Sequence, residues 1–579
     1  MKKISKLVLA LFAVGLFAGC SNGNDDAATN ALILAQLNAI IENTPDEPIE
    51  RNVELSNVSE MNIVKGTTYD LSDKEGKKVF MVVMNNDDYT ETVFASSGSE
   101  VSSDIYYDYK YQTENGVFYN VPFDPVCYEY NPVNTSVPFS RSAIGFDADD
   151  VEIPTTVGSH HDFHAATSDN FTNDEWASNA ELKVIGDHCY VWYKEKEGIN
   201  ITLSKLQSMA NTFDDIYEKE TYIFGPNYAT TYYSSSYTNQ FIPTDENTKV
   251  HIIVYDLFDD YAETKRKGGG TSGYFWGLDF YKENQNWEEK ICKTNKCECL
   301  HIDSYFLESA ADIQRSTIAH EFQHLLHFVN KKLKNGNNIE NATWFNEMMS
   351  MVCEDIMQTQ IGLPDSASPR NRLNTFNSSF NKGFLRWRRG SDDVYYSYAN
   401  AYAFGAYLVR NYGIDFIKAL AHNNLIEKDA ITNALGEVNA PDDENTFDKV
   451  YEKFYNVVFN PKSTSHTLNK EVTKTYEYAT GKTNTFKCTA INLFDYVTIS
   501  ARYMKGDYVK NLYQASKLND YKGPAILNNR IYNDLDESGM FVSYLGVVGT
   551  GDDQINPSFR LNNRASGNNN VIYKLVFAD

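Results

Sequence analysis

Two histidines and a glutamate lie at a spacing that suits metal-dependent hydrolysis. His320 and His324 are four residues apart in the segment 317–326, so on a helix both imidazoles project from one face. Two neutral imidazoles at this separation can bind one Zn²⁺ ion. Glu321 follows the first histidine, and beside the metal its carboxylate can take a proton from an attacking water and return it to the leaving amine. The segment therefore predicts a zinc-dependent hydrolytic site.

Apolar residues around this segment recur at helical spacing, which places the motif in the middle of a helix. Histidine is scarce in this chain, with 11 among 579 residues, so a His-Glu-x-x-His string would rarely arise by chance. The alternative interpretation is a buried helix whose two histidines are satisfied by hydrogen bonds alone. The residues that form the helical pattern are Ile313, Thr317, Phe322, Leu325, Leu326, Val329 and Leu333.

A third ligand is expected from a glutamate further along the chain. Glu347 lies 23 residues after His324, which leaves room for a loop at 335–338 and an antiparallel helix that returns to the metal. Two histidines, one glutamate and a water keep open the position that hydrolysis requires. Glu340 and Glu354 are competing candidates. Glu340 precedes the predicted helix, whereas Glu354, two turns beyond Glu347, suits a carboxylate that accepts a hydrogen bond from a ligand imidazole.

Three motifs together resemble one known family. The string His-Glu-Phe-Gln-His at 320–324, the string Trp-Phe-Asn-Glu-x-x-Ser at 344–350 and the string Gly-Tyr-Phe at 273–275 resemble the hyicolysin family of bacterial metallopeptidases, within the gluzincin clan. The resemblance runs from roughly residue 186 to residue 413. It implies an α+β catalytic domain of the zincin type with two lobes, in which a twisted sheet carries an edge strand above the zinc helix and a helical lobe lies below.

The same resemblance implies roles for individual residues. It makes His320, His324 and Glu347 the zinc ligands and Glu321 the general base. The sequence departs from better-known gluzincins at Met351, where an aspartate is common. Glu354 is therefore expected to replace that aspartate as the partner of a ligand imidazole.

Hydrolysis of a peptide bond also needs a hydrogen-bond donor for the oxyanion of the tetrahedral intermediate. The family resemblance points to the segment 398–405, where gluzincins often place a catalytic tyrosine at the start of a helix. Tyr398 fits this place best and Tyr402 is the runner-up. His422 and His327 are further candidates of lower rank. Because the chain contains 40 tyrosines, a purely structural role is the competing interpretation for each tyrosine.

The first twenty residues are typical of a bacterial lipoprotein signal peptide. Basic residues at the start precede an uncharged run at 7–18, which is too short to span a bilayer but suits a signal-peptide core. Small residues stand directly before Cys20, which is therefore the expected site of lipid attachment. The sequence predicts an extracytoplasmic protein held at the cell membrane or outer membrane by this lipid alone. An ordinary signal peptide with an incidental cysteine is the alternative.

Changes in the residue pattern divide the chain into further segments. Residues 21–50 form a polar tether, and residues 51–155 contain short β-type runs of an N-terminal β-sandwich-like domain. Residues 156–179 are expected to be a linker, whose three histidines match no metal motif. Residues 180–460 alternate strands with helices and form the catalytic domain. Residues 461–579 return to short β-type runs and form a second β-sandwich-like domain.

Seven cysteines remain besides the expected lipid site, and in an exported protein some of them should pair. Cys292, Cys297 and Cys299 lie close together and predict a small disulfide loop. A zinc-binding cluster completed by His301 is a weaker alternative, because the spacing matches no structural zinc pattern. Cys353 lies inside a predicted helix and is expected to be a buried free thiol.

Composition and charge narrow the range of functions. The formal net charge is −26, which argues against nucleic-acid binding. The sequence favours a zinc endopeptidase that acts on proteins or peptides, with no prediction for its oligomeric state. A surface adhesin with a vestigial zincin domain is the first alternative, and an intact Glu321 argues against it. An exopeptidase is the second alternative, but no anchor for a substrate amine precedes the motif.

Overall fold

The computed structural model combines helices with several β-sheets. The predicted signal peptide, the tether and Cys20 lie outside the residues that it describes. Among the described residues, none of the helices combines the length and the apolar character needed to cross a membrane. The described residues are 55, 57–86, 91–96, 105–106, 152–166, 174–262, 271–282, 285–287, 290–364, 369–388, 394–459, 465–478, 480–496, 523–528, 530–551, 554–561 and 570–579.

A six-stranded sheet, here called the central sheet, forms the middle of the predicted catalytic segment. Its interior strand Val250–Tyr255 is buried along its whole length and pairs in parallel with a strand on each side. A continuous apolar run is typical of such a strand, because both faces of a parallel sheet are covered. The strand order is Gly273–Phe275, Cys299–Asp303, Val250–Tyr255, Cys189–Tyr193, Ala180–Ile185 and His160–His161.

One border of the central sheet agrees with the sequence prediction and the other does not. The strand Gly273–Phe275, here called the edge strand, lies at one border as predicted. At the other border, His160–His161 pairs with residues 180 and 181. The expectation that 156–179 is only a linker is therefore wrong for this part, because the outer strand Ala180–Ile185 offers an unpaired backbone edge that the chain fills.

Three helices near the predicted site are used throughout and are named here. The motif helix is Ala311–His327, which continues as a π-helical segment over Phe328–Leu333. The second helix is Thr343–Met357 and the third helix is Val394–Tyr412. Further α-helices span Asp174–Ala177, Leu203–Phe224, Ser235–Gln240, Ser304–Ser309, Leu373–Ser379, Ile414–His422, Glu427–Glu437, Phe447–Phe454 and Asn456–Phe459.

Close packing and buried charge join the second helix to the third. A Cβ atom at Gly405 would lie 2.5 Å from a methyl of Val352 and 2.8 Å from Met348 Cγ, so a larger residue would force the helices apart. Next to this contact, Asp355 accepts hydrogen bonds from Arg410 Nη1 at 2.6 Å and from Arg370 Nη2 at 3.2 Å. All three charged side chains are buried.

Strands from the two ends of the chain form a second six-stranded sheet, here called the terminal sheet. Its central strand Lys78–Asn85 pairs with Met540–Val547 on one side and Val571–Ala578 on the other. The prediction of two separate flanking β-domains is therefore corrected, since strands of both segments share one sheet. The full order is Ser59–Ile63, Val571–Ala578, Lys78–Asn85, Met540–Val547, Ile526–Asn528 and Ile105–Tyr106.

The central strand of the terminal sheet is buried on both faces, which explains its apolar run. Val79, Met81 and Val83 belong to one core, and Phe80 and its alternate neighbours belong to the core shared with the helices. Side chains alternate between faces along a strand, so one apolar run supplies both cores. Smaller pairs are Glu91–Ser96 with Arg530–Leu535, Thr68–Asp70 with Ser558–Arg560, and Gln285–Trp287 with Lys290–Cys292.

The predicted domain boundary at residue 461 lies too early. The hairpin of Val472–Glu477 and Thr483–Cys488 forms its own two-stranded sheet and packs against the second helix rather than joining the terminal sheet. Directly after the hairpin, the carbonyl oxygen of Thr489 accepts hydrogen bonds from Arg410 Nε at 3.1 Å and Nη2 at 2.7 Å. The hairpin therefore belongs structurally with the helices of the predicted catalytic segment.

The cysteines whose side chains are described are all reduced. Cys353 is a buried free thiol, as predicted. The predicted disulfide loop is not formed, because Cys297 and Cys299 are both free and buried. The side chains of Cys127 and Cys292 lie outside the description. The remaining free thiols are Cys189 and Cys488.

Candidate metal centre

Three predicted ligand side chains converge between the motif helix and the second helix. His320 Nε2 and His324 Nε2 are 3.0 Å apart. One carboxylate oxygen of Glu347, Oε2, lies 3.2 Å from the first nitrogen and 3.5 Å from the second. Ligands bound to one ion at about 2.0–2.2 Å stand at comparable separations. The geometry can therefore hold a single divalent cation.

The donor set fits a cation better than a hydrogen-bonded cluster. The three side chains are at most 1% exposed. Glu347 Oε1 has no hydrogen-bond partner among the described residues. Burial raises the pKa of the Glu347 carboxyl, but the two facing imidazoles outweigh burial and lower the pKa to about 2. Two histidine nitrogens and an ionised carboxylate form a ligand set of the kind found in catalytic zinc sites.

The second nitrogen of His320 is held by Glu354. His320 Nδ1 lies 2.7 Å from Glu354 Oε1, and the other carboxylate oxygen accepts a hydrogen bond from Ser316. Burial raises the pKa of Glu354, but the hydrogen bond to His320 and the charge of Arg372 lower it overall. The carboxylate thus fixes the imidazole with Nε2 turned towards the other ligand atoms. Glu354 thus contacts one ring nitrogen of His320, and Glu347 faces the other.

Two residues that the sequence argument did not single out hold the other imidazole. His324 Nδ1 lies 3.1 Å from Asn346 Oδ1 and 3.0 Å from Ser350 Oγ. The serine hydroxyl in turn donates to Gln323. With Nδ1 donating, His324 Nε2 is left without a proton and can bind a cation. The signal for this role was present, since Asn346 and Ser350 flank Glu347 within the recognised string.

Glu321 lies where the motif helix meets the edge strand. The residue is 1% exposed, and a Cβ atom at Gly273 would stand 3.2 Å from Glu321 Cγ. The helix is anchored here, because Gln314 Nε2 donates to the carbonyl oxygen of Ser272 at 3.2 Å and Thr317 Oγ1 donates to Ser272 Oγ at 2.9 Å. The edge strand therefore approaches the helix closely only because residue 273 has no side chain.

Tyr398 and Tyr402 both lie inside the third helix and are fully buried. The Tyr398 ring is 4.5 Å from the guanidinium carbon of Arg372 and 4.9 Å from the Trp387 ring, at nearly a right angle. The charge of the same Arg372 guanidinium contributes to the lowered pKa of Glu354. The hydroxyl of Tyr402 has no hydrogen-bond partner among the described residues. The role of Tyr398 as an oxyanion donor remains a prediction.

The lower-ranked candidates occupy different places. His327 ends the motif helix and is buried, and its Nε2 has no hydrogen-bond partner among the described residues. Burial lowers the pKa of His327 well below its usual value. His422 ends another helix, where burial again lowers its pKa and its described neighbours include Ile223 and Lys418. The side chain of Glu340 lies outside the described residues, whereas the carboxylate of Glu347 faces His320 and His324.

The fold and the site define an α+β protein in which a His-Glu-x-x-His helix and a glutamate on the following helix form a cluster that can hold a metal ion. The peptidase M30 family model matches residues 184–467, which include this cluster, and identifies this segment as a peptidase M30 domain. The chain is also similar to the neutral metalloprotease ShpI of Staphylococcus hyicus, with 26% identity over 280 residues. That alignment covers 46% of this chain and 55% of the relative, so the chain spans about half the length of the relative it matches.

Proposed function

We propose that this chain is a zinc-dependent endopeptidase that hydrolyses internal peptide bonds of proteins outside the cytoplasm. The observation that carries the proposal is the convergence of His320, His324 and Glu347, with Nε2 and carboxylate atoms 3.0–3.5 Å apart. The match of residues 184–467 to the peptidase M30 family model and the similarity to a neutral metalloprotease support the same conclusion.

The proposed reaction assigns each nearby side chain a task. A zinc ion held by the three ligands would polarise the scissile carbonyl and acidify a water molecule. Glu321, one residue after the first ligand, would accept a proton from the attacking water and return it to the leaving amine. Glu354 keeps His320 in orientation, and Tyr398 is the proposed donor to the oxyanion.

The edge strand gives the proposed substrate a place to bind. It pairs with a neighbouring strand on one side only among the described strands. An extended peptide can add to such an exposed border through main-chain hydrogen bonds. Because the strand passes beside Glu321 at Gly273, a peptide bound there would run close to the base. We propose that the central sheet and the helices beyond the metal are the two lobes of a zincin-type domain, with the peptide between them.

The decisive test is the substitution Glu321→Gln. The amide keeps the size of the side chain but cannot take a proton, so activity should fall by about 10²–10⁴-fold while zinc content stays unchanged. Casein hydrolysis, its inhibition by o-phenanthroline and metal analysis of the purified protein measure these effects. The exposed carboxylate of Glu437 supplies the matched control, since Glu437→Gln should leave activity unchanged.

Each alternative function corresponds to a distinct outcome. Near-normal turnover in Glu321→Gln would refute the general-base assignment. Full zinc content in a wild-type protein that cleaves no protein substrate would favour the adhesin. Mass spectrometry of the products separates the two kinds of peptidase, because an endopeptidase releases internal fragments whereas an exopeptidase shortens peptides from one end.

The proposed location rests on the first twenty residues. A basic start, a short apolar run and small residues before Cys20 are the features of a lipoprotein signal. We propose that lipid on Cys20 anchors the protein to the outer surface of the cell membrane or to the outer membrane. Folded proteins or peptides in that compartment would then be its substrates.

A further inference from the structure

A second buried cluster of potential metal ligands lies at the other end of the edge strand. Asp279 belongs to the short 3₁₀ helix Gly277–Phe280 that follows the strand. Cys299 and His301 belong to the neighbouring strand, two residues apart, so their side chains share one face. All three residues are completely buried. The topology thus brings a carboxylate, a thiol and an imidazole together inside the protein.

The atoms of this cluster are spaced like those of the candidate metal centre. Asp279 Oδ2 lies 3.0 Å from His301 Nε2 and 2.9 Å from Cys299 Sγ, and the sulfur is 3.7 Å from the nitrogen. Tetrahedral bonds of about 2.0–2.3 Å place zinc ligands roughly 3.2–3.7 Å apart. Small adjustments of the side chains would therefore place all three atoms on one ion.

The outward-facing atoms of two of these ligands are already held. His301 Nδ1 lies 3.1 Å from the hydroxyl of Tyr255, which is 2.8 Å from the hydroxyl of Tyr274. The Tyr274 ring also stacks on the imidazole at 4.3 Å. The remaining oxygen of Asp279 accepts a hydrogen bond from Asn295 at 2.6 Å. Metal ligands are commonly oriented by partners of this kind, which fix the imidazole tautomer and the carboxylate.

Charge also favours a cation at this position. A buried carboxylate is costly unless an opposite charge accompanies it. Asp279 forms no ion pair with lysine or arginine among the described residues, and its one charged partner there would be a protonated His301. A divalent ion would supply the compensating charge and bind the imidazole and the sulfur at the same time.

We propose that Asp279, Cys299 and His301 bind a structural zinc ion separate from the catalytic one. Sulfur, imidazole and carboxylate ligands suit Zn²⁺. The ion would tie the turn after the edge strand to the strand beside it. It would thereby fix the border of the sheet that passes next to Glu321.

Spectroscopy can separate the two sites, because only the proposed structural site contains sulfur. Purified wild-type protein should hold about two zinc ions per chain, and X-ray absorption should show sulfur at about 2.3 Å from zinc. Replacement of zinc by Co²⁺ should produce a thiolate-to-cobalt charge-transfer band. His324→Ala should lower the metal content to about one ion and keep the band, whereas Cys299→Ser should abolish the band. Cys189→Ser, which removes a different buried thiol, should leave the band unchanged.

The wild-type and His324→Ala proteins decide the matter even if Cys299→Ser does not fold. About one metal ion per wild-type chain, with neither a charge-transfer band nor sulfur near zinc, would overturn the proposal. A disulfide between Cys297 and Cys299, detected as thiols that react with an alkylating agent only after reduction, would overturn it as well. Peptidase activity plays no part in these readings, so a failure of the proposed function would leave the result intact.

Discussion

Replacement of Glu354, whose carboxylate holds His320, should weaken zinc binding although Glu354 is not one of the proposed zinc ligands. Glu354 accepts a hydrogen bond from His320 Nδ1 at 2.7 Å, and both side chains are buried. In Glu354→Ala the imidazole loses the partner that fixes its tautomer and its rotation. Loss of such a partner typically costs 10–100-fold in metal affinity, equivalent to about 1–3 kcal/mol. Glu354→Gln keeps an oxygen that can accept the same bond, so we expect the smaller loss, about tenfold.

The assay uses the recovery of peptidase activity, because that activity requires the catalytic ion. Metal-free protein is titrated with zinc in a chelator buffer, and the free zinc concentration that restores half of the peptidase activity is recorded. Circular dichroism confirms that each variant is folded. Glu444 provides the matched control, because it bonds another imidazole, that of His466, at 2.9 Å. Glu444→Gln should leave the midpoint unchanged, and a midpoint for Glu354→Ala within twofold of wild type would refute the reasoning.

Three other perturbations test the proposed site and the proposed anchor. Tyr398→Phe should lower kcat about 10²–10³-fold with normal zinc content. Tyr402→Phe should change kcat little, because the Tyr402 hydroxyl has no partner among the described residues. Reversed effects in the kinetic assay would contradict the choice of Tyr398 as the oxyanion donor. Gly273→Ala places a Cβ atom 2.6 Å from a methyl of the motif helix, and the displaced edge strand should reduce kcat/KM on the order of 10²-fold. Its control is Gly436→Ala, where the added atom meets nothing within 4 Å, and an equal loss there would point to a general effect. Cys20→Ser should release the protein from membranes or block its processing, and unchanged partition into detergent would count against lipid attachment.

The arrangement of the metal centre was largely predictable because helical geometry relates neighbouring residues directly. The spacing of His320 and His324 placed both imidazoles on one face, and the structure shows them 3.0 Å apart. The distance along the chain to Glu347 allowed one reversal, and the second helix indeed follows. The supports from Asn346 and Ser350 were not predicted. A polar residue on a helix can face several neighbours, and its partner depends on how the two helices pack.

Pairing between distant segments was not predictable from local pattern. The apolar run of Lys78–Asn85 indicated a buried strand, but the residue pattern of a strand does not show which other strand pairs with it. Its partners, Met540–Val547 and Val571–Ala578, lie more than 450 residues away in the chain. For the same reason the sequence could not join Asp279 to His301. That contact arises because the edge strand and its neighbour run antiparallel in one sheet.

Two adjacent residues of the second helix form polar contacts in different directions. Together these contacts fix the rotation of the helix about its own axis. Successive residues on a helix point about 100° apart, so Glu354 faces the motif helix while Asp355 faces Arg370 and Arg410. A rotation that carried Glu347 away from the imidazoles would also separate Asp355 from both guanidinium groups. Breaking a buried ion pair by loss of one partner costs about 3–5 kcal/mol. The ion pairs of Asp355 with Arg370 and Arg410 therefore help to hold the carboxylate of Glu347 in the position where it faces His320 and His324.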